Sequence, residues 1–421
     1  MGAVALGMLW LSVPALAGSA LAAGDGSNLA AGDGSAANND RLEPGLYPTD
    51  PVLASNAGVA EPYDPFFDVD WSVALRGSYT KSSDGERFDT LVVPSVSLEH
   101  IGSRSAMRFE GSAEVTRPKD GQIDVTGLRL GLNAGYRLDR ETRIDASGEL
   151  TLSQDLPGTP GVATTISSPP QILTGSTELG ITRNFGKFNV GVTGGLKRRV
   201  YGETGYYSGV VVDNANQNYW STSSTLRVGY QATPIFEVFG EAGLGRDMFD
   251  AESTAIDATT TTLRGGVTGR WNTTLEATAS AGLGLRRFDN DSVGEVVTRL
   301  YDASVTYKPD PTWTFTAGLS TNVEPPAPDD TGNTKVSYLA NARVGYTVNS
   351  WLALRAAANW STARFEGSTA TETGYGYGFG ADYRLNRHTA LTADYGYDHS
   401  DSTLNGVDDA HRITMGVTVS R

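Results

Sequence analysis

From Phe66 to Arg421 the chain alternates apolar and polar residues with a period of two. In the first segment Phe67, Val69, Trp71, Val73, Leu75, Gly77 and Tyr79 interleave with Asp68, Asp70, Ser72, Ala74, Arg76, Ser78 and Thr80. Successive side chains of a strand point to opposite faces, so this spacing gives one apolar and one polar face, whereas a helix would mix the two sets. Met107 to Thr116, Leu128 to Arg137, Phe236 to Gly245 and Tyr375 to Tyr383 repeat the pattern. About eighteen such runs fit before Arg421, roughly twenty residues for each strand and its connection.

The connections alternate in length. Short ones fall near Gly102 to Arg104, Asp139 to Glu141, Gly186 to Lys187, Ala232 to Pro234, Asn272 to Thr274, Pro309 to Pro311, Val348 to Ser350 and Asn386 to His388. Longer polar ones lie between them, at Gln154 to Gln171, Gly202 to Asn218, Asp250 to Thr259, Val323 to Asn333 and Ser400 to Asp409. Tyr136, Phe185, Phe188, Tyr230, Phe236, Trp271, Tyr307, Trp313, Phe315, Tyr346, Trp351 and Tyr383 cluster near the short turns. Tyr79, Tyr201, Trp220, Phe288, Trp360, Tyr375, Tyr395 and Tyr397 lie towards the long loops. Two aromatic belts with short turns on one side and long loops on the other are the marks of a membrane barrel. A soluble all-β repeat protein, the competing class, concentrates its aromatics mid-strand in a core. The expected fold is an all-β, transmembrane, antiparallel up-and-down β-barrel of about 18 strands, with 16 as the alternative, short periplasmic turns and long extracellular loops.

Residues 1–22 read as a signal peptide: the apolar stretch Met1 to Ala17 ends in Ala15-Leu16-Ala17, and a second small-x-small site follows at Ala20-Leu21-Ala22. No Lys or Arg precedes the run, which leaves an N-terminal membrane anchor as the alternative. The tandem sequence LAAGDGS occurs at Leu21 to Ser27 and again at Leu29 to Ser35, and residues 23–64 carry many acidic residues against Arg41 alone, a composition expected of a disordered periplasmic leader. The barrel is then 65–421.

Composition narrows the function. The chain has no cysteine, so disulfides, thiolate zinc sites and cysteine nucleophiles are excluded. A net charge of -15 argues against nucleic-acid binding, which needs a clustered basic face. The polar strand face of a barrel points into its lumen. That register nominates as pore-lining Arg76, Arg108, Glu110, Glu114, Arg129, Glu149, Glu178, Lys197, Arg199, Arg227, Glu237, Glu241, Arg264, Glu276, Arg343, Arg355, Asp382 and Asp394. Charges of both signs suit a wet interior, because burying them dry would demand complete pairing. The expected function is a porin-like outer-membrane channel for passive diffusion of small hydrophilic solutes, with opposing acidic and basic ladders across a constriction. The alternative is a filled or plugged barrel, structural or accessory to surface polysaccharide export or envelope integrity. Lumen glycines such as Gly131, Gly376, Gly378 and Gly380 widen the lumen or permit curvature.

No catalytic, cofactor or metal motif occurs in a matching context, so no enzyme and no cofactor is expected. Asp398, His399, Asp401, Asp408, Asp409 and His411 surround the last long loop. They read as solvated residues or as a divalent-ion bridge to lipopolysaccharide, with a hydrolase site as a distant alternative. The basic run Lys197-Arg198-Arg199 suits lipopolysaccharide phosphates.

With its export signal, its lead-in ending Pro62-Tyr63-Asp64-Pro65 and its turns framed by Tyr307 to Trp313 and Tyr346 to Trp351, the chain resembles the outer-membrane β-barrel porin family of alphaproteobacteria. The resemblance implies a solute channel or a barrel accessory to polysaccharide export in a Gram-negative outer membrane. Its partners would be outer-membrane lipid and lipopolysaccharide, small hydrophilic solutes and the assembly machinery, with the barrel a monomer or trimer. One departure is the end of the chain: Ile413, Met415, Val417 and Val419 are followed by Arg421, where such barrels usually end in an aromatic residue.

Overall fold

The computed structural model describes residues 67–421 apart from 84, 120–122, 158–161, 164, 251–255, 328–330 and 405. The expected signal peptide and leader lie outside the described residues. The strands are β1 (Asp68–Ser82), β2 (Gly85–Ile101), β3 (Ser105–Pro118), β4 (Asp124–Arg137), β5 (Thr142–Ser153), a short β6 (Ile166–Ser168) and β7 (Ile172–Phe185). Next come β8 (Phe188–Tyr201), two short strands β9 (Thr204–Tyr206) and β10 (Val211–Val212), β11 (Tyr219–Gln231), β12 (Phe236–Phe249), β13 (Ala258–Trp271) and β14 (Leu275–Phe288). The last seven are β15 (Glu295–Tyr307), β16 (Trp313–Glu324), β17 (Thr334–Thr347), β18 (Leu352–Glu366), β19 (Thr371–Asn386), β20 (Thr389–Ser402) and β21 (Gly406–Ser420).

Eighteen long strands form one sheet, each antiparallel to the next in the chain. The ring closes where β21 pairs with β1, Ser420 opposite Ser72 and Ala410 opposite Ser82. The short strands β6, β9 and β10 make a separate three-stranded sheet. A 14-residue strand such as β3, rising ~3.4 Å per residue at ~40° tilt, spans about 36 Å and exceeds the ~25 Å apolar band of an outer membrane.

The periplasmic turns follow from their residues. The Asp139 carboxylate accepts the backbone N–H groups of Glu141 and Thr142 at 2.7 and 2.6 Å. Asp310 accepts those of Thr312 and Trp313, Asn349 those of Trp351 and Leu352, and Asn386 that of His388. These are Asx turns, which satisfy the donors released where a strand ends. The backbone donors hold the Asp139 carboxyl below its ordinary range, and the Thr312 hydroxyl and N–H do the same for Asp310. In the tightest turn, between Phe185 and Phe188, Gly186 adopts φ 63°, a left-handed conformation that costs glycine little.

The outer wall carries the apolar half of each alternation: Trp71, Val73 and Leu75 on β1, Leu263 and Val267 on β13, and Met415, Val417 and Val419 on β21 are all exposed. Aromatic contacts ring the short-turn end, with Phe188 on Tyr230, Phe236 on Trp271, and Trp351 on Tyr383 at centroid distances of 5.0 to 5.2 Å. Trp313 stacks on Tyr346 at 4.2 Å. Two residues expected in the opposite belt do not belong to it: Tyr201 and Phe288 are buried on the inner face. Ser400 to Asp409, expected as a long loop, is instead the tip of a hairpin, because β20 runs to Ser402 and β21 begins at Gly406. Above the membrane both faces of a strand meet water, so polarity there does not signal a loop.

Candidate functional site

The register puts every nominated pore-lining residue on the face opposite the apolar wall. Ala74 and Arg76 alternate with exposed Val73 and Leu75, for example, and Glu241 faces Arg264 across the β12–β13 pair. Most of these charges meet a partner on the same or a nearby strand. Arg108 lies 2.7 Å from Glu110, and Arg129 lies 2.9 Å from Glu149. Arg227 bonds Glu241 at 2.8 Å and Glu237 at 3.0 Å while resting 3.5 Å above the centroid of the Phe239 ring. Arg264 pairs with Asp302, and Arg270 with Glu276 at 3.1 Å. Arg355 bridges Asp382 and Asp394, the second at 2.6 Å. Glu114 accepts the Thr126 hydroxyl at 3.2 Å. Among the described residues Glu178 and Arg343 make no ion pair. The charges therefore pair side by side rather than forming opposed acidic and basic ladders. Gly380 faces inward beside the Arg355–Asp394 pair, which fills the space that a Cβ there would need.

The extracellular end departs from a plain cylinder. Strands β15 and β16 pair only from Ala303–Leu319 to Tyr307–Phe315. Beyond that the Thr321 side chain takes the place of the backbone ladder: its Oγ1 accepts the Tyr301 N–H at 2.9 Å and donates to the Tyr301 carbonyl at 2.9 Å. Alternation would turn Thr321 and Val323 outward, yet they line a cavity with Thr298, Leu300 and Arg286 from the inner face of β14 and β15. The end of β16, with β17 still paired to it as far as Glu324–Lys335, has thus tucked inside β14 and β15. Val336 on the paired β17 is only 1% exposed, and the Tyr338 hydroxyl reaches the Arg299 carbonyl of β15 at 3.4 Å.

At the end of the tucked strand, Glu324 meets Lys197 at 3.1 Å and Arg199 at 3.7 Å, both on β8, six strands away around the ring. From another side the described residues of the connection between β5 and β7 also reach over the mouth. Its Pro157 carbonyl accepts a 2.7 Å hydrogen bond from Arg87 on β2. Its Val162 and Ile166 bury together against Ala163 and Tyr206. Burial pushes the Asp155 carboxyl up to about 6, against the opposing pull of the Arg412 guanidinium on β21. Glu324 and Asp155 were not among the residues singled out in the sequence. The Pro325-Pro326 pair that ends β16 is the one local signal that could have drawn attention to Glu324.

The basic run divides. Lys197 and Arg199 point inward to Glu324, whereas Arg198 points outward, paired with Asp250 at 2.5 Å and lying over the Trp220 ring. It is therefore not a single patch for lipopolysaccharide phosphates. On the outer face near the mouth, Asp409 accepts the Tyr397 hydroxyl at 2.6 Å and lies 2.6 Å from His399 Nδ1. Among the described residues no group of three or more His, Asp or Glu is placed to hold a metal ion.

Among curated proteins no sequence matches. Of the solved structures, the outer-membrane protein OpdK of Pseudomonas aeruginosa, crystallised with vanillate, is similar at 10% identity and a TM-score of 0.42, over 84% of this chain and 99% of that one. OccK3 (OpdO) of the same organism is similar at 12% identity and a TM-score of 0.42, over 84% and 96%. The FrpB iron transporter from Neisseria meningitidis gives 13% and 0.39, over 80% and 62%. The family described as "Putative beta-barrel porin 2" matches residues 72–421, so this chain belongs to that family and is a porin-like channel of the Gram-negative outer membrane.

Proposed function

We propose that the barrel passes small hydrophilic solutes by passive diffusion, with the inward residues from Arg76 to Asp394 nominated above as its lining. The observation that carries this reading is the inner face itself, where charges of both signs recur along the strands while the outer face is apolar. Such a face is stable when water solvates what the pairs leave over. Two inward features lie at the extracellular mouth, the Glu324 bridge to Lys197 and the Pro157 contact with Arg87. Lumen chemistry of this kind selects by size and by local charge rather than by catalysis, and we assign no enzymatic role. The barrel inserts with outer-membrane lipid and the assembly machinery as partners, as a monomer or trimer.

Reconstitution in planar bilayers tests the reading, with stepwise ohmic conductance expected. A correctly folded barrel that remains silent would favour a second reading, a structural or export-accessory barrel whose mouth stays closed. The same two inward segments that narrow the mouth favour that alternative. Separating the two requires the Glu324→Gln variant, because a gated pore opens when the bridge is weakened and a plugged one does not.

A further inference from the structure

We propose that the cavity behind the tucked end of β16 is a binding site for one oxyanion, a carboxylate or a phosphate group. The cavity has a volume of about 130 Å³ and is lined by Arg264 and Arg286, by the hydroxyl-bearing Thr260, Thr262, Thr298 and Thr321, and by apolar side chains. Arg286 is the most deeply buried charge of the barrel, 2% exposed. Its Nη1 donates to Asp247 at 2.6 Å and to Thr260 Oγ1 at 3.4 Å. Its Nε and Nη2 have no hydrogen-bond partner among the described residues although both are buried.

Those two nitrogens form one edge of the planar guanidinium, the edge that presents two parallel N–H donors to a carboxylate or phosphate. A buried donor left unpaired is costly, and a pair of them on a charged group calls for an acceptor of matching geometry. Asp247 holds the opposite end, the Phe288 ring lies 5.4 Å from the guanidinium carbon, and Arg264 is anchored by Asp302. The orientation of Arg286 is therefore fixed before any ligand arrives. Neither Asp247 nor Asp302 lines the cavity, so the ligand would meet guanidinium donors and the hydroxyls of Thr260, Thr262 and Thr298 rather than carboxylates, Thr321 being committed to the Tyr301 carbonyl. The volume admits a single carboxylate or phosphate head with a few waters, and not a sugar ring. This site stands whether or not the barrel conducts.

The test is ligand-dependent stabilisation and calorimetric titration of the full-length barrel in detergent, with inorganic phosphate and acetate as probes and chloride at matched ionic strength as reference. The expected result is a saturable rise in unfolding midpoint with at least one oxyanion and none with chloride. Phosphate binding tighter than acetate identifies a phosphorylated ligand, and the reverse a carboxylated one. Arg286→Met abolishes binding. Arg286→Lys, which keeps the charge beside Asp247 but loses the paired donors, binds about tenfold or more weakly. Thr298→Val, which leaves the ion pairs intact, weakens binding without loss of folding. Equal responses to all three anions, or a saturable oxyanion response unchanged in the Arg286→Lys and Thr298→Val proteins, would overturn the proposal and leave a water-filled void.

Discussion

Replacing Glu324 with Gln removes the charge that ties the tucked strand to β8 while keeping the shape of the side chain. A circular wall of eighteen strands, spaced ~4.8 Å and tilted ~40°, has a radius of about 18 Å. Strands six steps apart are then separated by a chord of about 31 Å. A Lys and a Glu side chain with a 3.1 Å contact between them reach roughly 13 Å. The wall at Glu324 is therefore displaced roughly 18 Å along that chord, which places it about 9 Å inside the circular path, well into the lumen. Lys197, Arg199 and Glu324 keep a quarter to a third of their side-chain exposure, so solvent screening limits the bridge to about 1–2 kcal/mol. Its loss shifts the docked-to-undocked ratio about five- to thirtyfold, enough to take a tip docked ~99% of the time to about 80–95%. Single-channel recordings at 0.15 M and 1 M salt provide the assay. Glu324→Gln should show larger or more frequent open steps at low salt. The wild type should approach it at 1 M, after correction for bulk conductivity, as the Debye length falls from ~8 to ~3 Å. Indistinguishable step amplitudes and dwell times at both salts would refute the reasoning.

Three further outcomes follow from the same structure. Burial of Asp155, where the chain leaves β5 and reaches over the mouth, holds its carboxyl at about 6, above its ordinary 3.8. The docked form therefore binds the proton more tightly, and docking strengthens as pH falls from above 6 towards 3.8, by up to about 3 kcal/mol. Conductance should fall on acidification through that window and the step should vanish in Asp155→Asn; a step of unchanged size in the variant contradicts this. Leu263 is 68% exposed on the outer wall, so Leu263→Arg should cost about 2–4 kcal/mol in a lipid-refolding equilibrium, against about 1 kcal/mol or less for Thr225→Arg on the inner face. Equal costs would mean that the faces are misassigned. Gly380→Ala should force apart the Arg355–Asp394 pair and lower stability by about 1–3 kcal/mol, read as a lower urea midpoint.

Most of the architecture was legible because the membrane enforces it. Trp71 to Tyr79 could alternate only one way, since a one-residue slip would turn Asp70 and Arg76 into lipid. Asp139, Asp310, Asn349 and Asn386 mark turns through their own side-chain hydrogen bonds, which is local chemistry and so visible in the sequence. What escaped is tertiary. Leu319, Thr321 and Val323 alternate like any lipid-facing run, and nothing local says that the upper half of β16 leaves the wall. Tyr201 and Phe288 sit near strand ends as belt residues do, but the register turns them inward. Lys197 found its partner through a contact 127 residues away in sequence, and Arg199 shares that partner, which no spacing rule reaches.

The central claim is that the inner face borders water through which solutes move. The chain has no cysteine, so single substitutions give clean labels. Thr225 points inward and its neighbour Leu226 outward on β11, paired with Gly243 and Ala242. Single-channel current should drop when a membrane-impermeant thiol reagent is added to Thr225→Cys, and should not change for Leu226→Cys. A folded, inserted barrel that carries no current, or a block at Leu226→Cys and none at Thr225→Cys, would contradict the account.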